Sequence, residues 1–129
     1  MIEITHRLTL PPEPSSAAAA RRFVADALQG CAIDIDIVVL LVSELVSNVV
    51  LHAGTPLEVE VASRGAHMRI SVTDGSSAVP TLKHDPPDSV TGRGLTMIAT
   101  AAASWGIDLH AGGKSVWFEV PISSGPLVP

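Results

Sequence analysis

Glu44 and Asn48 stand four residues apart in a segment that is otherwise almost wholly apolar. On a helix that spacing points both side chains the same way. Ser43 and Ser47 widen the pair into one polar stripe. A carboxylate and a carboxamide together suit a hydrated magnesium ion, which prefers oxygen ligands and keeps several of its waters. The carboxylate is also suited to polarising an attacking hydroxyl or water. The competing reading is the solvated stripe of an ordinary amphipathic helix.

A second carboxylate, Asp74, ends an alternating run and shares the parity of Met68, Ile70 and Val72. It is therefore expected to face the covered side of a sheet, where a carboxylate is costly unless something donates to it. A purine amino group is one such donor. The alternative is a turn-forming aspartate in Asp74-Gly75-Ser76. Further on, Thr91-Gly92-Arg93-Gly94-Leu95 precedes a helical pattern. Glycines there let the backbone approach a ligand, and a helix N-terminus offers free N–H groups to phosphate, with Arg93 as an added charged donor. Taken alone, such a glycine pair is a weak signal.

The elements that must position these groups are legible from periodicity. Met1–Leu10 alternates and predicts a strand with one covered face, stopped by Pro11, Pro12 and Pro14. Ser15 or Ser16 is expected to cap a helix running through Gln29 to Gly30. Asp34 or Asp36 opens a second helix to about Ala53, ended by Gly54. Strands are predicted over Leu57–Ser63 and His67–Thr73, with a turn at Arg64-Gly65-Ala66. Residues 75–91 form a long loop, a length typical of functional lids or disorder. A helix is expected from Gly94 to about Ala103. A last hairpin pairs Trp105–His110 with Ser115–Val120 across Ala111-Gly112-Gly113-Lys114. The order is β-α-α-β-β-loop-α-β-β, without internal repeats.

Val59 and Val61, Met68, Ile70 and Val72, and Val116, Phe118 and Val120 each alternate with polar or outward residues. One sheet face is thus covered and the other open, which predicts an α+β, two-layer sandwich: a mixed, mostly antiparallel sheet with its helices on one face. Trp117 falls on the open face among Glu58, Glu60, Arg69 and Glu119. It either anchors a partner or a second copy of the chain, or lies flat over its neighbours.

Composition narrows the classes. At 129 residues and 47% hydrophobic, the chain fits one domain with a real core, expected over 1–122 with a frayed tail at 123–129. A net charge of -5, with no basic run beyond Arg21-Arg22, argues against direct nucleic-acid binding or attraction to anionic lipid. The single cysteine, Cys31, fits a reducing cytoplasm and reads as a small buried thiol. The longest unbroken apolar run, Ile37–Val42, is far shorter than the roughly 20 residues of a membrane span. No signal-peptide pattern opens the sequence.

The order and spacing of the polar features resemble the GHKL superfamily of gyrase, histidine kinase and MutL-type ATPases, and most closely its anti-sigma factor serine-protein kinase branch. Leu41 to Ala53 looks like that branch's N-box, Val72-Thr73-Asp74-Gly75-Ser76 like its adenine-binding box, and Gly92-Arg93-Gly94-Leu95 like its phosphate-lid glycines. Gly112 to Glu119 resembles its closing strand. The resemblance implies a Bergerat-type α/β sandwich that binds ATP and Mg²⁺. It implies Glu44 as general base, Asn48 as the magnesium ligand and Asp74 as acceptor for the adenine amino group. His52, Ser76, Gly92, Arg93, Gly94 and Leu95 would complete the nucleotide contacts. The implied activity is transfer of phosphate to a serine of a small antagonist protein, together with sequestration of a sigma factor. The alternatives are an ATP-binding regulatory module without transfer and a detached histidine-kinase catalytic domain. This sequence departs from the pattern at Leu51, where relatives often carry Lys or Arg, and at Gly75-Ser76, where the glycine comes one residue early. Ser115 is set aside as a stand-in for the relatives' adenine-proximal threonine, because its parity puts it on the open face.

Overall fold

A computed structural model of the protein describes residues 5–76, 98 and 101–122. Along the chain run β1 (Thr5–Leu10), α1 (Ser15–Ala27), α2 (Ile35–Asn48) with a π-helical turn over Val49–Ala53, β2 (Leu57–Arg64), β3 (His67–Asp74), β4 (Ser104–His110) and β5 (Gly113–Pro121). Ile98 and Ala101 are helical, within the span where a third helix is expected. Residues 77–91 of the expected loop, and Gly92 and Gly94 after it, lie outside the described residues, as does the tail.

The strands form one sheet in the order β1-β2-β3-β5-β4, and its pairings are all antiparallel. Of the expected mostly antiparallel sheet, the described part is thus wholly so. The parity argument holds: Val59, Val61, Met68, Ile70, Val72, Val116, Phe118 and Val120 are all buried. They meet Val38, Leu41, Val42, Leu45, Val46 and Val49 of the second helix in one core, joined by Ala20, Val24 and Leu28 and by Ile98. Among the described residues this makes two layers, with the other sheet face open.

Local chemistry explains most boundaries. The Asp34 side chain accepts from the Ile37 amide at 3.3 Å and caps α2, leaving Asp36 in the first turn. At α1 the expected serine cap is not formed. Pro14 takes the cap position, and the buried Ser16 hydroxyl donates to the Pro11 carbonyl at 2.6 Å. The last hairpin turns at Ala111-Gly112, so Gly113 and Lys114 belong to β5 and not to the turn.

Taken as one helix, Ile35–Ala53 is 19 residues long with mean hydropathy 1.9, enough by length and composition to cross a membrane. That revises the expectation drawn from unbroken apolar runs. The same test is passed by core helices of globular domains, and the apolar stripe of α2 is packed in the core against the sheet.

The open face is held by cross-strand pairs. Arg7 donates to Glu60 at 2.6 Å and Arg69 to Glu119 at 2.8 Å, each pair directly opposite in register. The Arg69 guanidinium sits 3.8 Å from the centre of the Trp117 ring. A side chain at Gly106 would meet that ring at 2.6 Å, so glycine lets the indole lie flat against β4. Trp117 is thereby half-buried among its own neighbours.

Burial acts to raise the Glu119 pKa, but hydrogen bonding and charge from Arg69 outweigh it and hold the carboxyl below its usual value of 4.5. A depressed folded-state pKa stabilises the fold above the unfolded value and is lost as pH falls through the folded one. Urea midpoints should therefore show wild type exceeding Glu119→Gln near neutral pH. The gap should close as pH drops below 4.5.

Candidate functional site

The register of β3 and β5 sets Asp74 directly opposite Lys114, both on the covered face. Asp74 is 4% exposed and Lys114 6%. The inward aspartate read from sequence is therefore inward in the structure, and its donor comes from the chain itself. Lys114 Nζ lies 3.0 Å from Oδ1 and 3.0 Å from Oδ2, and it also reaches the Ser76 carbonyl at 3.5 Å. The Ser76 amide donates to Oδ1 at 2.7 Å. The turn-forming and inward-facing readings of Asp74 are thus both realised. Ser115, on the opposite parity, bonds across the open face to Thr73 at 2.7 Å and to His110 at 3.2 Å.

Gly113 makes this arrangement fit. Its φ is +148°, and an added Cβ would run into the Asp74 carbonyl oxygen and come within 2.8 Å of Gly75 Cα. The close approach draws Lys114 onto Asp74.

On α2, Glu44 and Asn48 are both half-buried beside the buried Leu41, Leu45 and Val49. Ser43, in the same stripe, accepts from Arg21 Nη1 at 2.9 Å, which ties α1 to this helix. Asn48 Oδ1 is buried and has no hydrogen-bond partner among the described residues. A buried amide oxygen left unpaired is rare and costs free energy unless something binds it. Its chemistry fits a hard cation or a water on one. Among the described residues no group of three or more His, Cys, Asp or Glu gathers to hold a metal. An ion at Asn48 would take its other ligands from water and bound phosphate.

Just beyond Asn48 the helix widens into its π turn and ends at Gly54, whose φ is +63° and whose amide donates to the Val49 carbonyl at 2.9 Å. The turn exposes His52, and Leu51 at 62%. Next, Thr55 Oγ1 accepts from the Gly75 amide at 2.9 Å, and Leu57 pairs with Asp74. The chain leaving Asn48 is thus fastened to the Asp74-Gly75-Ser76 turn. Asn48 and His52 lie on the segment that Thr55 fastens to the Asp74-Gly75-Ser76 turn, with Glu44 one helical turn before Asn48. Gly92, Arg93, Gly94 and Leu95 lie outside the described residues.

Sequence reasoning missed Lys114. The expected hairpin puts it in the connection, although extending the parity of Val116, Phe118 and Val120 back by one step points it inward. The π turn carries no comparable signal, since a helical period reads the same through it. Single π turns are frequent at functional sites.

Residues 10–120 match the histidine kinase-like ATPase domain, and the chain belongs to that family. It is an ATP-binding module of the GHKL type, with the α+β fold that type implies. Among solved structures it is similar to the RsbU and RsbW domains of Rv1364c from Mycobacterium tuberculosis, with 23% identity and a TM-score of 0.71. That similarity covers 94% of this chain and 33% of the other, so the chain spans about a third of the length of its structural relative. No curated protein matches the chain in sequence.

Gly113→Ala should cost about 1–3 kcal/mol by overpacking against β3. Gly112→Ala, with nothing within 4 Å of the added carbon, should cost far less. Chemical denaturation of the two variants decides it; equal midpoints would show that the contact yields freely.

Proposed function

We propose that the protein binds Mg-ATP between α2 and the covered face of the sheet and transfers the γ-phosphoryl group to a serine of a small antagonist protein. In this reading it also sequesters a sigma factor, with a second copy of the chain as a further candidate partner and the cytoplasm as its compartment. The observation that carries the site is the orphaned Asn48 Oδ1, on the same helix face as Glu44 and fastened through Thr55 to the Asp74 turn. Membership of the ATPase family and the resemblance to the anti-sigma kinase branch support the rest.

Each residue then has a role that its chemistry allows. Asp74 accepts from the adenine amino group, and Ser76 holds the carboxylate in place through its amide. Asn48 presents its amide oxygen to a hydrated magnesium ion, and His52 lies exposed on the adjoining turn. Bound magnesium would neutralise phosphate charge, much of what phosphoryl transfer requires of its site. Glu44, half-buried beside Asn48, orients the incoming serine hydroxyl and takes its proton. Gly92, Arg93, Gly94 and Leu95 would close over the phosphates.

A second reading keeps ATP as a regulatory ligand without transfer. It is favoured by Leu51, which stands 62% exposed on the π turn and offers no charge to a phosphate.

Glu44→Gln separates the two. If Glu44 is the base, the variant should lose about 100-fold or more of phosphoserine formation on an antagonist domain. Its Mg-ATP affinity should stay close to wild type. Labelled ATP with candidate antagonist domains supplies the assay. Equal transfer by variant and wild type would remove Glu44 from the chemistry, and transfer by neither would favour the regulatory module.

A further inference from the structure

The Asp74–Lys114 pair has a consequence for the nucleotide. An ionised carboxylate offers roughly four lone-pair positions. Three contacts already fall on Asp74: the Ser76 amide on Oδ1, and the Lys114 ammonium on Oδ1 and on Oδ2. All the ammonium contacts are short or moderate, and both side chains are almost fully buried. The pair is also built into the backbone, because Asp74 and Lys114 are register partners and the bare Gly113 lets β5 close onto Asp74. A base that offers an amino group to Asp74 therefore meets a carboxylate already engaged by a stronger, charged donor.

We infer that Lys114 is an internal occupant of the base-reading carboxylate, so that the Lys114 ammonium and the nucleotide base compete for Asp74. The inference rests on the reading of Asp74 as the base acceptor. The one lone-pair position left by that count, on Oδ2, belongs to a side chain only 1% exposed. Binding therefore requires the ammonium to leave at least one oxygen, and only the fraction of molecules with that oxygen free is competent. Apparent affinity is lowered by that fraction: if about one molecule in ten is competent, the dissociation constant rises about ten-fold. Lys114 thereby sets the nucleotide concentration at which the site fills, without touching phosphate or magnesium.

The competition predicts an effect opposite in sign to simple electrostatics. Deleting a cation near an anionic ligand weakens binding by Coulomb's law. Deleting an occupant of the ligand's acceptor strengthens it. In calorimetric titrations of the full chain with Mg-ATP, Lys114→Met should bind about ten-fold tighter than wild type. Mg-tripolyphosphate, which carries no base, should gain nothing. Lys114→Met leaves a buried carboxylate without its partner and is expected to be less stable; if it does not fold, Lys114→Gln, with a weaker neutral donor, should shift affinity in the same direction. An unchanged or weaker Mg-ATP affinity in the folded variant, with Asp74→Ala still weakening binding, would overturn the competition while leaving the base reading intact. Unchanged affinity in Asp74→Ala would overturn the base reading, and the competition with it.

Discussion

A carboxylate buried at the end of a central strand has to be supplied with donors, and much of this structure is arranged around that requirement. β3 brings Asp74 to the covered face by strict alternation, and β5 answers with Lys114 at the paired position. The Ser76 amide folds back to share the load. Burial of an ion pair on these terms contributes little net stability against an apolar pair of the same size, whereas removing one partner alone is strongly destabilising. The pair therefore does little to hold the sandwich together. The apolar layer of Val59, Ile70, Val72 and Phe118 against Val38, Leu41, Leu45 and Val46 does that.

The second constraint is on α2, which must be apolar enough to serve as the core helix and still present polar groups at one edge. It solves this with a narrow stripe, Ser43, Glu44, Ser47 and Asn48, beside a wide buried face. The π turn follows and ends at Gly54, and Thr55 then clasps Gly75. The chain leaving the helix stripe is thereby fastened to the turn that follows the strand-end carboxylate. On the far side of the sheet lie the arginine–carboxylate pairs and the flat Trp117, and none of the described helices covers them.

Much of the fold was legible because alternation over β2, β3 and β5 is unbroken and fixes both the covered face and the inward direction of Asp74. Gly54 and Gly65 stop or turn the chain as their positive φ values require. What was not legible has physical reasons. Ser16 looked like a cap, but its hydroxyl found the Pro11 carbonyl instead. Gly112-Gly113-Lys114 looked like a loop, since glycine pairs usually turn; here one glycine turns and the other thins the strand for a close crossing. Lys114 was overlooked because a lysine on a covered face is improbable until its partner is known. Of the site, Glu44 and Asn48 stand out by spacing and Asp74 by strand parity, whereas His52 and Ser76 come from the resemblance alone, and their roles are those proposed above.

The account stands or falls on where a nucleotide sits. A crystal structure of the protein with Mg²⁺ and a non-hydrolysable ATP analogue is the most direct measurement. The prediction is an adenine amino group within hydrogen-bond distance of an Asp74 oxygen that Lys114 has released, with the metal or one of its waters on Asn48 Oδ1. A base bound elsewhere, with the Asp74–Lys114 pair intact and Asn48 untouched, would contradict it.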